Sequence, residues 1–420
     1  MISDYKFLLR NRNFLHLWVS QVLSQLTISI LNFLLIIRLF ETTGSTIATS
    51  MLWVSYAMPA IIVGPFASAS LDMTDRKRVL MMANIFQSFV ILIYAFTYEG
   101  RLFLPYGVVM TYSMLNQFYL PAEASTLPSV VKRKNLPQAN SLFFLTQLAA
   151  LVVGFGTAGF LKITFGFQTS LFVCSVLLFI AFVSVSFLPK LVAKDSVPKD
   201  VEKAFFKYFE KIKEGYRFIK SNSNVLAPFL VLIGLNSALL IVAVSAPALT
   251  ESIYSTKVDS AGLLLVVPAA FGGLVSALVI PRLLKVGIRK RHIMQTFMLI
   301  ISITLIVFAL VIPHVVGYQR YIFGILALGI IGFSFVSILI PAQTFLQEVT
   351  PDNFRGRVFG NFWFISTVAS VIPVLSSGAF SEIFGVRALL TVMGLFALGM
   401  LLLSKKYGGR AIENKPLFSK

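Results

Sequence analysis

Glu123 is the acidic side chain best placed to do chemistry. It lies nine residues before Lys132 in an apolar stretch, roughly 13 Å of helix at about 1.5 Å per residue, and so falls well inside hydrocarbon. Burial there penalises the charged form, and a carboxyl alternately wetted and dried can take up a proton on one side and release it on the other. The competing use of such a group is structural, as the partner of a nearby Arg or Lys. Pro121 and Pro128 mark the same stretch as irregular and open to water. Tyr112, Asn116 and Tyr119 lead to Glu123 at intervals of four, three and four, so the four side chains share one helical face. Gln21, Gln25 and Asn32 share another face. Ser337, Pro341, Thr344 and Glu348 follow the same rhythm, and Asn236 and Ser237 sit together in a further apolar run. Amides and hydroxyls in lipid must face protein or water, so these faces either line a cavity or glue helices together.

A second set of charges stands at the ends of apolar runs: Asp72, Asp75 and Arg76 to Arg78, then Arg289 to Arg291, with Glu348 near the end of its own run. A carboxylate in such a place can cap the free N–H groups of another helix's first turn, and a guanidinium one turn later can hold a carboxylate on a neighbouring span. The plainer use of these charges is to fix topology. No phosphate-binding glycine loop, HExxH, GxSxG or CxxC occurs, and His16, His292 and His314 are too scattered to build a metal site. The chain is expected to be no enzyme and to carry no cofactor or metal. A membrane-embedded enzyme, the alternative of another class, would need a clustered nucleophile, base or metal set. Cys174 is the single cysteine, which excludes an internal disulfide.

The elements that must position these residues follow from composition. Of 420 residues 57% are hydrophobic and 13% charged, against about 45–50% and about 25% in soluble chains, and the apolar residues come in long runs. Twelve runs are long enough to cross a bilayer: 14–37, 46–70, 79–98, 102–128, 140–164, 168–188, 225–250, 260–284, 293–313, 320–346, 358–381 and 386–404. If the loops alternate sides, 30 of the 36 Lys and Arg fall on the side of the N-terminus and six on the other. That asymmetry places both termini in the cytoplasm of a multi-pass protein of the cell membrane, and it turns the net charge of +19 into a topology signal rather than a nucleic-acid one.

The two halves resemble each other. Gly159, Phe165 and Gly166 recur as Gly378, Phe384 and Gly385; Arg76, Lys77 and Arg78 as Arg289, Lys290 and Arg291; Pro121 and Ala122 as Pro341 and Ala342. Parallel matches in corresponding spans predict an all-α integral membrane fold of twelve transmembrane helices in two six-helix bundles, residues 1–188 and 225–420, joined by a cytoplasmic linker at 189–224. In the linker Val201, Phe205, Phe209, Ile212, Tyr216 and Ile219 alternate with Lys203, Lys207, Lys211, Lys213 and Lys220, the pattern of a basic amphipathic helix resting on anionic lipid as a tether, or else binding a partner.

The stretch 64–78, GPFASASLDMTDRKR, resembles motif A of the major facilitator superfamily, and the segments 121–142 and 341–360 are similar to the span 4–5 and span 10–11 connections of its macrolide-efflux branch. The resemblance implies the major facilitator fold, spans 1, 4, 7 and 10 around a central cavity, and a conformational latch carried by Asp72 and Arg76, with Arg289, Arg291 and Glu348 as its counterpart in the second half. It also implies proton-coupled efflux of bulky amphipathic small molecules through a monomer, with substrate, protons and membrane lipid as partners and no nucleic acid. Uptake or flipping of a lipid-like metabolite is the alternative, and a uniporter a further one. Two departures bear on this. Ser129 stands where relatives carry the acid that pairs with Arg76, and Phe155 follows Gly154 where a proline is usual. Glu348 is expected to pair with Arg289 or Arg291, and Arg76 to find another acceptor.

Overall fold

The computed structural model describes residues 8–407 apart from 65, 68–74, 133–134, 190–209 and 211–212, and within helices leaves undescribed the side chains at 137, 223, 352–357, 360, 361 and 405–407. The described residues are helical, with no strand among them. Among the described residues twelve long helices follow the chain: α1 (Arg12–Thr43), α2 (Thr46–Ile62), α3 (Arg76–Thr97), α4 (Leu104–Val130), α5 and α6 as the two parts of Leu136–Ser186 on either side of Gly166, α7 (Ser223–Leu249), α8 (Val267–Lys285), α9 (Lys290–Leu310), α10 (Tyr318–Val349), α11 (Asp352–Phe384) and α12 (Val386–Tyr407). Of the described stretches, nine are long and apolar enough to cross a membrane. Three facts account for the difference from twelve. Gln138–Ser186 counts once although it holds two spans, α2 is described over too short a length, and α4 is diluted by its tyrosines, Asn116, Gln117 and Glu123.

The chain divides into two compact units, residues 1–44 with 51–209 and residues 45–50 with 210–420. In the first unit, Asn11 caps α1 by accepting from the N–H groups of Asn13 and Phe14 at 3.1 and 3.3 Å, and its own amide donates to the Val130 carbonyl at 2.7 Å. The start of α1 is thereby fixed to the end of α4. Asp75 caps α3 through the Lys77 N–H at 3.0 Å. Close approach of α1 and α5 depends on Gly154, where a Cβ would come within 2.4 Å of the Ser29 Cβ. Phe155, in place of a proline, stacks on Phe33 at 4.8 Å between centroids.

Equivalent contacts recur inside the second unit. Gly166 breaks the α5–α6 run at φ 82°, ψ 164°, and Gly385 separates α11 from α12 at φ 85°, ψ 154°, a backbone conformation that glycine alone adopts without strain. The Ser88 hydroxyl donates from α3 to the Ser175 carbonyl of α6 at 2.8 Å, and the Ser302 hydroxyl from α9 to the Gly394 carbonyl of α12 at 2.6 Å. Lys77 donates to the Leu188 carbonyl just after α6 at 2.6 Å, and Arg291 to the Ser404 carbonyl near the end of α12 at 3.0 Å. These pairs correct the sequence register by one residue, because Lys290 rather than Arg289 is the counterpart of Arg76: each is the first residue of its helix.

Of the expected linker helix, 201–209, 211 and 212 lie outside the described residues. Residues 213–221 are helical, with Lys213, Tyr216 and Lys220 exposed and Ile219 buried in a cluster with Val225, Phe229, Leu346 and Val358. The amphipathic pattern thus ends on the apolar base of the second unit.

The tightest helix contact there is between α8 and α10. A Cβ on Gly332 would come within 1.8 Å of the Ala269 carbonyl oxygen, whereas one on Gly329 meets nothing nearer than the Pro268 carbonyl at 3.9 Å. Gly332→Ala is expected to lower stability by more than about 2 kcal/mol through overpacking, and Gly329→Ala to raise it by roughly 0.5–1 kcal/mol through helix propensity. Thermal unfolding of the purified variants checks both signs.

Candidate functional site

Glu123 is 7% exposed, and its Oε1 is buried with no hydrogen-bond partner among the described residues. No Lys, Arg or His among those residues pairs with it, so the structural alternative lacks its cation. The Tyr119 hydroxyl lies beside the carboxyl and is 3.1 Å from the Ser20 hydroxyl, which accepts from the Asn84 amide at 3.0 Å. A polar chain thus crosses from α3 through α1 to α4 inside the first unit. Further up α4, Asn116 donates to the Tyr56 hydroxyl at 3.5 Å, and Ser113 to the Tyr56 carbonyl at 2.6 Å. Gln87 of α3 donates to the Tyr112 carbonyl at 3.3 Å, and Gln21 of α1 to the Phe143 carbonyl of α5 at 3.1 Å.

The expected polar faces therefore split by exposure. Gln21, Tyr112, Asn116 and Tyr119 are buried in contacts between helices, where they act as glue, while Gln25 and Asn32 are half-buried. In the second unit Ser337 is buried against Ser276, the two hydroxyls 2.8 Å apart, and Ser237 against Ser370 at 2.9 Å. Asn236 and Thr344 are half-buried, Thr344 returning its hydroxyl to its own helix at the Ile340 carbonyl. Sequence reasoning missed Tyr56, Ser20, Asn84, Gln87 and Ser276. Asn84 and Gln87, three apart in an apolar run, carried the same signal as the faces it did find.

At the helix ends, Asp72 lies outside the described residues. Arg76 donates to the Ser125 carbonyl at 3.0 Å and reaches the Ser129 hydroxyl at 3.5 Å, a neutral acceptor set among the described residues. Glu348 pairs with Lys290, not with Arg289 or Arg291. The helix start explains the correction. Lys290 opens α9 and faces the end of α10, Arg291 is turned by one residue onto Ser404, and Arg289 is the cap preceding the helix.

Among the described residues, twelve long helices in a repeated arrangement, most of them long and apolar enough to cross a membrane, define a multi-pass membrane protein. The profile of the Major Facilitator Superfamily matches residues 17–374, and the chain belongs to that family. Among its relatives, the MFS-type transporter YfiS of Bacillus subtilis (strain 168) is 25% identical over 379 residues, 87% of this chain and 86% of the relative. Macrolide efflux protein A of Streptococcus pyogenes is 23% identical over 383 residues, 89% and 90% of the two chains. Among solved structures, the nucleoside transporter NupG has the same fold at a TM-score of 0.70 and 14% identity, covering 93% of this chain and 98% of that one.

The pairing of Lys290 with Glu348 replaces in the second unit the neutral contact that Arg76 makes in the first. Glu348 has a half-exposed side chain, so a double-mutant cycle on Lys290→Ala and Glu348→Ala should give a coupling below about 1 kcal/mol. Ser129→Glu, which supplies the missing acid beside Arg76, should raise the melting temperature more at low than at high salt.

Proposed function

We propose that the chain is a proton-coupled exporter of bulky, amphipathic small molecules, and that Glu123 carries the proton. The supporting observation is a buried carboxyl that has an oxygen without a hydrogen-bond partner and no paired cation among the described residues, with the Tyr119 hydroxyl as its neighbour. A carboxylate held by a salt bridge would be locked in one charge state, whereas this one gains or loses a proton as water reaches it. The bundles of the proposal are residues 1–188 and 225–420, tethered through 189–224. Within the first bundle the half-buried Gln25 and Asn32, and within the second Asn236 and Thr344, are the proposed substrate-contacting side chains, while Gln21, Tyr112, Asn116, Tyr119 and Ser337 hold the helices that carry them. Asp72 and Arg76 latch one access state, and Lys290 with Glu348 answers them in the second half.

The similarity to macrolide efflux protein A supports the direction and the bulky amphipathic substrate. So do the 40 Phe and 12 Met, which make adaptable, polarisable surfaces. The 30-to-6 distribution of basic residues supports a cytoplasmic membrane location with both termini inside. The protein works as a monomer in contact with lipid.

Glu123→Gln keeps size and hydrogen bonding but fixes the neutral form. In proteoliposomes it should retain substrate binding and downhill exchange while losing uphill transport driven by a proton gradient. Proton-dependent accumulation by Glu123→Gln would move the coupling elsewhere, and accumulation in right-side-out but not inverted vesicles would reverse the direction to uptake.

A further inference from the structure

Arg38, near the end of α1, is one of the six cations on the sparsely charged side. Its guanidinium lies over the rings of Tyr98 and Phe167, 5.4 and 5.5 Å from their centroids. The ring faces fix its plane and attract its charge, but they leave the five N–H donors of the fork in need of acceptors. None of these donors reaches a hydrogen-bond acceptor or a carboxylate among the described residues. Three other cations assigned to that side are satisfied within the protein. Lys162 pairs with Glu41, Arg387 donates to the carbonyl and hydroxyl of Ser252, and Arg320 donates to the Val315 carbonyl and the Ser255 hydroxyl.

Arg38 borders a cavity of about 160 Å³ that Tyr94, Tyr98, Arg101 and Pro105 help to line. Arg101, exposed on the α3–α4 loop, brings a second guanidinium without a carboxylate partner among the described residues. The cavity also meets the first turn of α4, whose cap residue Phe103 supplies no side-chain acceptor, so the positive end of the helix dipole adds to the two charges. The acids nearby are otherwise engaged: Glu99 is exposed and accepts from the Tyr98 hydroxyl at 3.2 Å, and Glu41 holds Lys162. Leu102, 51% exposed, gives the cavity an apolar edge, and the adjoining Phe103 is 84% exposed.

The geometry points to a binding site for a phosphoryl anion between α1, α3 and α4, with the Arg38 and Arg101 forks holding its oxygens. Two guanidinia and a helix start suit a tetrahedral oxyanion, which offers edges to two forks at once. The cavity accommodates a phosphate and not an acyl chain, and the apolar edge would take the chains of a phospholipid whose phosphodiester sits inside. An anionic lipid headgroup and a free phosphate share this chemistry.

The test uses the full-length protein in phosphatidylcholine nanodiscs. Inorganic phosphate is titrated against thermal stability in one arm. In the other, phosphatidylglycerol is added to the discs and its retention is counted by native mass spectrometry. Because cytoplasmic cations also bind phosphatidylglycerol, the readout is the difference between wild type and variant, with exposed Lys213→Gln as the control that leaves the site intact. Arg38→Gln and Arg101→Gln should each weaken binding roughly tenfold, the effect of losing a charge-assisted hydrogen bond, and Arg38→Lys should fall between. A loss confined to phosphatidylglycerol identifies the lipid as occupant, and one confined to inorganic phosphate identifies the soluble anion; both support the site. Unchanged binding in both arms for either glutamine variant, with wild-type helicity, overturns it. Should Arg38→Gln fail to fold, Arg101→Gln on its exposed loop decides alone.

Discussion

An unpaired polar group in hydrocarbon costs several kcal/mol, and the arrangement of this chain follows from how that cost is met. The buried amides of the first unit meet it one-sidedly. Gln21, Asn84 and Gln87 each donate their N–H to a carbonyl or hydroxyl on another helix, and each leaves its side-chain oxygen without a donor among the described residues. In these three amides the donors are spent and the acceptors left over, while the Trp53 indole N–H and the Thr126 hydroxyl are likewise without partners among the described residues. Glu123 stands in these surroundings with its own Oε1 unpartnered. When protonated it can donate; when ionised it can only accept. Its carboxyl lies at one end of the polar chain through Tyr119, Ser20 and Asn84, which joins α4 to α1 and α3.

The same cost explains why the repeat is visible in backbone contacts more than in side-chain types. Helix ends leave carbonyls unsatisfied, and both units close them alike, with Lys77 on Leu188 in one and Arg291 on Ser404 in the other. Ser88 and Ser302 each reach a carbonyl on the partner helix. Gly166 and Gly385 make the same left-handed break between the last two helices of their units. What these positions require is a donor that reaches a backbone carbonyl, and Lys77 and Arg291 meet that requirement equally, as do Ser88 and Ser302 whether the accepting carbonyl belongs to Ser175 or to Gly394.

Span positions were legible because length, hydropathy and the distribution of Lys and Arg are properties of whole segments. The burial of Glu123 was legible because nine residues of helix separate it from the first loop lysine. The direction of individual side chains was not. Intervals of three and four place Tyr112, Asn116 and Tyr119 on one face, but only the neighbours of that face decide whether it meets a cavity or another helix, and here Gln87, Tyr56 and Ser20 bury it. The pairing of Glu348 was misread for a similar reason. A cluster of three basic residues looks interchangeable in sequence, yet the residue that opens the helix alone faces α10, and a shift of one residue turns the next by about 100°.

That shift also exposes where the two units differ chemically. Lys290 has its charge neutralised inside its own unit by Glu348, while Arg76 meets only a carbonyl and a hydroxyl, and its Nε is buried without a partner among the described residues. A neutral acceptor satisfies a hydrogen bond but leaves the charge in place. Within the first unit the remaining described acid at this end, Asp75, is committed to the Lys77 N–H and lies 3.9 Å from Arg78. Among the described residues, then, Arg76 is met by neutral acceptors where Lys290 is met by a carboxylate, and the two units differ at the start of α3 and of α9 in the charge of the partner rather than in the presence of one.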